Sequence, residues 1–210
     1  MKLIQKYFPK LNSRQLEQFS KMKEIYYYWN KKINLISRKS FDSFYQNHVL
    51  HSLGIAKIVS IMPGSNIMDV GTGGGFPGIP LAILFPDSDF LLVDSRDKKI
   101  KATKSISKEL FINNVRTICI RAEKTKGKFD FILNRAVTKI PRLYAWVKGK
   151  FISKSKHEIP NGIFSLKGGN LSEELSLFPK AIEFPLMNYF KIAFFSGKKV
   201  VYLPCAKNSF

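Results

Sequence analysis

Apolar residues recur at helical spacing through the first quarter of the chain. After that the pattern changes to short apolar runs alternating with helical stretches. Leu16, Phe19, Met22, Ile25, Tyr26 and Trp29 fall on one face of a helix that Asn12 or Ser13 can cap and that runs to about Lys32. Asn34-Leu35-Ile36-Ser37 breaks it. A second helix is expected to start at Ser40 or Asp42, to turn Phe44, Val49, Leu50, Leu53, Ile55 and Ile58 inward, and to stop near Pro63-Gly64. Beyond that point strands are predicted at 67–70, 90–93, 115–120, 129–133 and 162–166, with helices at 79–85, 98–110 and 143–155 between them. Segments 191–195 and 200–203 read as a closing antiparallel pair. Strands alternating with helices predict an α/β fold with a mostly parallel sheet and right-handed crossovers. The expected organisation is an N-terminal helical extension, 1–62, packed on a ligand-binding domain, 63–210, as one structural unit.

The first strand leads into the most informative segment, Asp69-Val70-Gly71-Thr72-Gly73-Gly74-Gly75-Phe76-Pro77-Gly78. Glycines let a backbone turn tightly and let a ligand approach main-chain N–H groups. A strand, such a loop and a helix in succession hold a nucleotide-like ligand at the carboxyl edge of an α/β sheet. Two readings compete. Gly73 to Gly78 satisfies G-x-G-x-x-G, the dinucleotide fingerprint. Asp69, Gly71, Gly73 and Gly75 satisfy the D-x-G-x-G-x-G loop of S-adenosylmethionine methyltransferases. The second reading is preferred for two reasons. A carboxylate before the first glycine can pair with a cationic methionyl group, directly or through water, but would repel a pyrophosphate. Pro77 also removes an N–H near where a pyrophosphate needs donors.

Asp94 closes the second strand, where a carboxylate can accept both hydroxyls of a ribose; that contact serves S-adenosylmethionine and NAD alike. Arg121-Ala122-Glu123 follows the third strand, where an adenine would lie, and Glu123 can read its edge. Asn134-Arg135-Ala136 follows the fourth strand and Lys167-Gly168-Gly169 the fifth, so Arg135 and Lys167 are candidates to position a substrate through its phosphates. His48 and His51 are read as helix-packing residues. No acid or cysteine stands at metal spacing beside them, and no metal is expected. Tyr26-Tyr27-Tyr28-Trp29 reads as core packing rather than a base-stacking platform.

Charge narrows the partner. The chain of 210 residues carries a net charge of +20. Residues 1–40, 96–108 and 135–160 hold nearly all of the excess, with ten, six and seven Lys/Arg respectively. Such clustering suits a polyanion, most often nucleic acid, although a lysine-rich proteome would also drift basic. Lys99, Lys101 and Lys104 on the predicted helix at 98–110 are expected to contact RNA, farther out than Arg135 and Lys167. Cys119 and Cys205 lie far apart in apolar contexts, which predicts reduced thiols. No leader or membrane-length apolar run is present, so a cytoplasmic protein with no membrane partner is expected.

These motifs together resemble the bacterial 16S ribosomal RNA guanine-N7 methyltransferases of the RsmG/GidB type. The resemblance covers about residues 20–170. It rests on Trp29-Asn30, Asn34-Leu35, His48-Val49-Leu50-His51-Ser52-Leu53, the glycine loop with its Gly75-Phe76-Pro77-Gly78-Ile79-Pro80 continuation, Asp94-Ser95 with Lys98-Lys99, Arg121-Ala122-Glu123, Arg135-Ala136 and Lys167-Gly168. It implies a Rossmann-like class I methyltransferase sheet. It also implies S-adenosyl-L-methionine contacts at Gly71, Phe76, Ala122, Glu123 and Arg135, and 16S RNA or the 30S subunit as partner of a monomeric enzyme. This chain departs from the family in carrying His51 where Asp is usual. A small-molecule methyltransferase of the same fold and a non-catalytic RNA-binding relative are the alternatives. The charge argues against the first, the intact loop and Asp94 against the second.

Overall fold

The computed structural model describes residues 1–37 and 40–205. Helix α1 (Lys2–Tyr7) precedes α2 (Ser13–Lys32). Asn12 caps α2 reciprocally: its side chain accepts from the Gln15 N–H at 2.9 Å, and the Gln15 side chain accepts from the Asn12 N–H at 3.0 Å. Asn30 ends the helix by accepting from the N–H groups of Leu35 and Ile36. The expected second helix is composite. A turn at 40–43 leads to a π-helical turn, Tyr45–Leu50, then α3 (His51–Leu53) and a 3-10 turn, Gly54–Lys57.

The sheet follows, with β1 (Asn66–Val70), α4 (Gly78–Leu84), β2 (Asp89–Asp94), α5 (Asp97–Glu109), β3 (Val115–Cys119), β4 (Phe131–Arg135), α6 (Ile140–Val147), β5 (Gly162–Gly168), α7 (Ser172–Leu175), β6 (Ile182–Pro185) and β7 (Lys198–Pro204). Its seven strands run in the order β3-β2-β1-β4-β5-β7-β6. The first five are parallel, and β7 lies antiparallel between β5 and β6.

Two expectations fail at the C-terminal end. The helix expected at 143–155 stops at Val147, because Gly149 takes φ +80 and Phe151 returns to bridge Phe129. Segment 191–195 is not a strand. Ala193–Phe195 is a 3-10 turn that buries Phe195 on Phe190, and β7 pairs with β5 and β6 instead.

The central strands β1, β4, β5 and β7 are buried on both faces, as a sheet with helices on both sides requires, while the edge strands β3 and β6 are largely exposed. Ile67, Leu92, Phe131, Leu133, Phe164 and Val200 pack toward α1–α5, while Met68, Val70, Val93, Ile132, Ile163 and Val201 pack toward α6. The N-terminal segment shares the first of these cores through Phe19, Met22, Tyr26 and Phe44. Its docking is polar too. Gln15 donates to the carbonyls of Ile83 and Leu84 at the end of α4, and Gln18 to those of Leu110 and Phe111 just past α5. Two helix C-termini that would leave carbonyls unmet are thus closed by α2.

Candidate active site

The turns after β1 to β4 open on a cavity of about 320 Å³. Its walls include Gly71, Asp94, Lys99, Ala122, Glu123, Ala136 and Trp146. Gly71 adopts φ +64, and a Cβ there would lie 2.5 Å from Val137 Cγ2. A side chain at this position would therefore displace the turn after β4, which sits directly against the loop. Gly78 opens α4 under a similar constraint: a Cβ would lie 2.2 Å from Leu92 Cδ2 and 2.8 Å from Asp69 Oδ2. Only glycine lets that helix approach β1 and β2 so closely.

Asp94 holds the loop in place. Its Oδ2 accepts from the Gly73 N–H at 3.0 Å and its Oδ1 from the Arg96 N–H at 2.9 Å. A carboxylate offers about four lone-pair sites, so two remain for ligand hydroxyls. Ala136 stands at φ +53, a left-handed conformation uncommon for a residue with a Cβ. It turns the chain sharply at the end of β4 and lines this cavity together with a second one.

The second cavity, about 400 Å³, lies on the β4–β5–β7 side and is lined by His51, Arg135, Leu166, Lys167, Gly168 and Lys198 as well as Ala136. Arg135 is the last residue of β4, not part of the following loop, because the strand runs two residues beyond the expected end. Its guanidinium lies 4.9 Å from the centre of the Phe76 ring and donates to His48 Nδ1 at 3.2 Å and to the Asn47 carbonyl at 3.4 Å. Burial pushes its pKa down to about 10, against the pull of Asp69 and Tyr26, so the guanidinium stays charged at neutral pH. Burial, with Arg135 next in effect, pushes both His48 and His51 down to about 3, so both rings are neutral.

Five of the expected site residues meet at the first cavity: Gly71, Asp94, Lys99, Ala122 and Glu123. Lys99 reaches the cavity itself, contrary to the expectation that it lies farther out, whereas Lys101 and Lys104 are exposed on α5 and do not line it. Lys101 pairs with Asp97 at 2.8 Å.

Asp69 differs from expectation most. It is fully buried, with Oδ2 accepting from Thr72 Oγ1 at 2.7 Å and from the Gly78 N–H at 2.9 Å. Its carboxylate ties β1 to the loop and to α4 and does not line the cavity. Burial pushes its pKa up to about 7, opposed by those hydrogen bonds. Gly75 and Phe76 are also packing positions. A Cβ on Gly75 would lie 2.5 Å from Ile79, and the Phe76 ring lies against Tyr26 and His48.

Lys167 lies within β5 and not after it; its ammonium binds Glu174 at 2.6 Å and the Thr138 carbonyl at 2.8 Å, and it lines the second cavity. Tyr26 belongs to the core, donating to the Gly74 carbonyl at 2.6 Å, but Tyr27 and Tyr28 are 52% and 51% exposed, so only part of the aromatic stripe is core.

Trp146 and Val137 escaped the sequence reading. Trp146 sits on α6, between buried Leu143 and Val147, and only the crossover brings it to the cavity wall. No group of three or more His, Cys, Asp or Glu able to hold a metal occurs among the described residues.

A parallel sheet of this order, with a glycine loop after β1 and an acid closing β2, is the Rossmann-like fold of class I S-adenosylmethionine-dependent methyltransferases. Solved structures agree. A SAM-dependent methyltransferase from Aquifex aeolicus superposes with a TM-score of 0.58 over 80% of this chain and 98% of its own, at 12% identity. An rRNA methylase from Streptococcus thermophilus superposes with a TM-score of 0.52 over 75% and 95%, also at 12%. Sequence goes further than fold. The family model described as rRNA small subunit methyltransferase G, GidB, matches residues 15–201, and the chain belongs to that family. Among its relatives, the ribosomal RNA small subunit methyltransferase G of Flavobacterium johnsoniae is 53% identical over 96% of both chains. That of Cytophaga hutchinsonii is 48% identical over 97% of this chain and 99% of its own.

Proposed function

We propose that this chain transfers a methyl group from S-adenosyl-L-methionine to guanine N7 in 16S ribosomal RNA, acting in the cytoplasm as a monomer on the RNA or the 30S subunit. The observation that carries the reading is the meeting of two cavities at Ala136: one edged by the glycine loop and Asp94, the other by Arg135 and Lys198. The first fits the cofactor. Asp94 keeps lone pairs for a ribose, Ala122 and Glu123 border the place for an adenine edge, and Trp146 with Ile120 supplies apolar wall. The relatives' names and the family assignment support rRNA as substrate. The net charge of +20 and the exposed Lys101 and Lys104 on α5 support a polyanionic one.

The cofactor supplies an already activated sulfonium methyl. Guanine N7 has a free lone pair and no proton, so in-line attack needs no general base. Transfer to N7 would leave the carbon–sulfur electron pair on sulfur and move the positive charge to the purine. What the protein contributes is alignment and electrostatics. Asp94 and the loop fix the donor, and the neutral His48 and His51 add no charge against the developing purinium.

The test is transfer of tritiated methyl to undermethylated 30S subunits or their RNA, followed by borohydride and aniline cleavage to locate 7-methylguanine. Label in RNA that becomes cleavable by this chemistry is expected. No label in RNA, with transfer to small molecules of a cell extract, would replace this reading with the small-molecule one. If S-adenosylhomocysteine also fails to bind, the non-catalytic reading takes its place.

A further inference from the structure

The aromatic run on α2 is only partly used by the core. Phe19, Met22 and Tyr26 complete the buried face of the helix, and Trp29 packs against its border. Tyr27 and Tyr28 take no part in that core and stand half exposed. Tyr27 forms one wall of a further cavity of about 420 Å³, which Asn30, Lys31, Phe41 and Asp42 complete. That size is within the range of small-ligand pockets. The Tyr27 and Phe41 ring centres lie 5.6 Å apart with the planes inclined at 52°, so neither ring covers the face of the other.

Cations stand over both tyrosines. Lys31 Nζ lies 4.3 Å from the centre of the Tyr27 ring, and Lys32 Nζ lies 4.0 Å from that of Tyr28. Both lysines are exposed, and neither is in an ion pair among the described residues. Rings interleaved with cations are how sequence-tolerant single-strand sites are built: bases stack on the rings while the backbone follows the positive charge. Asp42 would repel a phosphate inside the cavity but can accept from the amino group of a base, so the interior suits a base and the lysines suit its backbone. The cavity is also tied to the glycine loop. Tyr26, next to Tyr27, donates to the Gly74 carbonyl at 2.6 Å, and Leu35 Cβ lies 3.2 Å from where a Cβ on Gly74 would stand.

We propose that the cavity between Tyr27 and Phe41 takes an unpaired base of the RNA, stacked on Tyr27, with the adjoining phosphates on Lys31 and Lys32. The inference rests on the reading of RNA as substrate and adds a place, outside the reacting centre, where that RNA is held. Tyr27 is a binding residue: no bond is made or broken at it. Duplex RNA keeps its bases stacked inside the helix, so this surface separates unpaired segments from duplexes. A contact so placed is made equally in the ground state and the transition state, and it acts on KM rather than on kcat.

The experiment measures binding of a single-stranded RNA oligonucleotide of about ten nucleotides by fluorescence anisotropy. Wild type is compared with Tyr27→Ala, Tyr27→Phe and Lys31→Met, with calorimetric affinity for S-adenosylhomocysteine as the check on folding. Tyr27→Ala should bind the strand about ten-fold more weakly, the fold-change of one lost stack. Tyr27→Phe keeps the ring and should stay within about two-fold of wild type. Lys31→Met should reduce the slope of log affinity against log salt by about 0.7, a change that a structural role would not produce. A duplex of the same length should bind wild type and Tyr27→Ala alike. In methyl transfer to 30S subunits, Tyr27→Ala should raise KM and leave kcat within about two-fold. If Tyr27→Ala loses S-adenosylhomocysteine binding, Tyr27→Leu replaces it. Equal strand affinity in wild type and Tyr27→Ala, or Tyr27→Phe as weak as Tyr27→Ala, overturns the proposal. So does a loss confined to 30S subunits with free RNA unaffected, which would make the cavity a protein contact. If wild type transfers no methyl to RNA but the oligonucleotide results hold, the methyltransferase reading falls and the stacking site stands.

Discussion

The two cavities at the carboxyl edge of the sheet use their charges in opposite ways. Around the first, Asp94, Arg96, Lys99, Arg121 and Glu123 line the opening, and none is in an ion pair among the described residues. Around the second, Arg135 is held by His48 and Phe76 and Lys167 by Glu174 and Thr138, while Lys198 lies over the Phe194 ring. Both sets sit at strand ends, the position that marks a ligand edge in α/β sheets. Position at the edge is therefore not enough to assign a charge to substrate. What separates the two sets is whether another element supplies a partner, as α7 does for Lys167 and the π-helical turn does for Arg135.

The largest test of this contrast is Lys167→Met. Its partner Glu174, whose side chain is 12% exposed, also accepts from the Ile140 N–H at the start of α6. Removing the lysine leaves a buried carboxylate without a counter-charge, which costs about 3 kcal/mol in folding stability. Denaturant titration should show that loss, with S-adenosylhomocysteine affinity intact in the folded protein. Unchanged stability with weakened RNA binding would return Lys167 to the substrate.

Asp94→Ala is the counterpart on the other side. It removes the acceptor for the Gly73 and Arg96 N–H groups and, in the proposed complex, for the ribose. S-adenosylhomocysteine affinity should fall by about 2 kcal/mol, roughly 30-fold, by calorimetry. An unchanged affinity would detach the first cavity from the cofactor.

The smallest effect concerns Asp69, which lies between the two regions. Its pKa stands near 7 in the fold and about 4 in an unfolded chain. The folded state therefore holds a proton that the unfolded state has released. The contribution of this group to stability is fully present below about pH 4, falls as pH rises through about 7, and is level above it. Asp69→Asn keeps an acceptor for Thr72 and Gly78 but does not titrate. The variant should gain on wild type by about 1.4 kcal/mol between pH 6 and pH 8, seen as a change in the difference between their melting temperatures. A constant difference across that range would show that Asp69 is ionised throughout.

The order and type of most elements were legible in the sequence because β1, β2, β4 and β5 are largely buried and read as apolar runs, with glycine, proline and asparagine at their borders. α2 was legible to within a residue at its start, since Asn12 and Gln15 close a capping box within four residues of chain. The failures share a cause. Nothing within 143–155 outweighs the return of Phe151 to Phe129. The aromatics of 191–195 are long-range packing residues whose spacing mimics a strand. At the site, Asp69 has the residue type and place expected of a cofactor contact, but Thr72 and Gly78 claim one of its oxygens and burial encloses the rest.

The sequence by itself determined the glycine loop, the acid at the end of β2, the alternation of the sheet and the basic character of the chain. These follow from backbone freedom, strand periodicity and composition, which act over a few residues or need no geometry at all. Tertiary structure alone decided which charges are free. Arg135 meets His48, Lys167 meets Glu174, and His51 comes to line a cavity with Lys198 because strand order and the N-terminal segment bring distant chain positions within hydrogen-bond reach. Hydrogen bonds and ion pairs form only over a few ångströms, so a group's partner, and with it the group's role, depends on the fold and not on its neighbours in the chain.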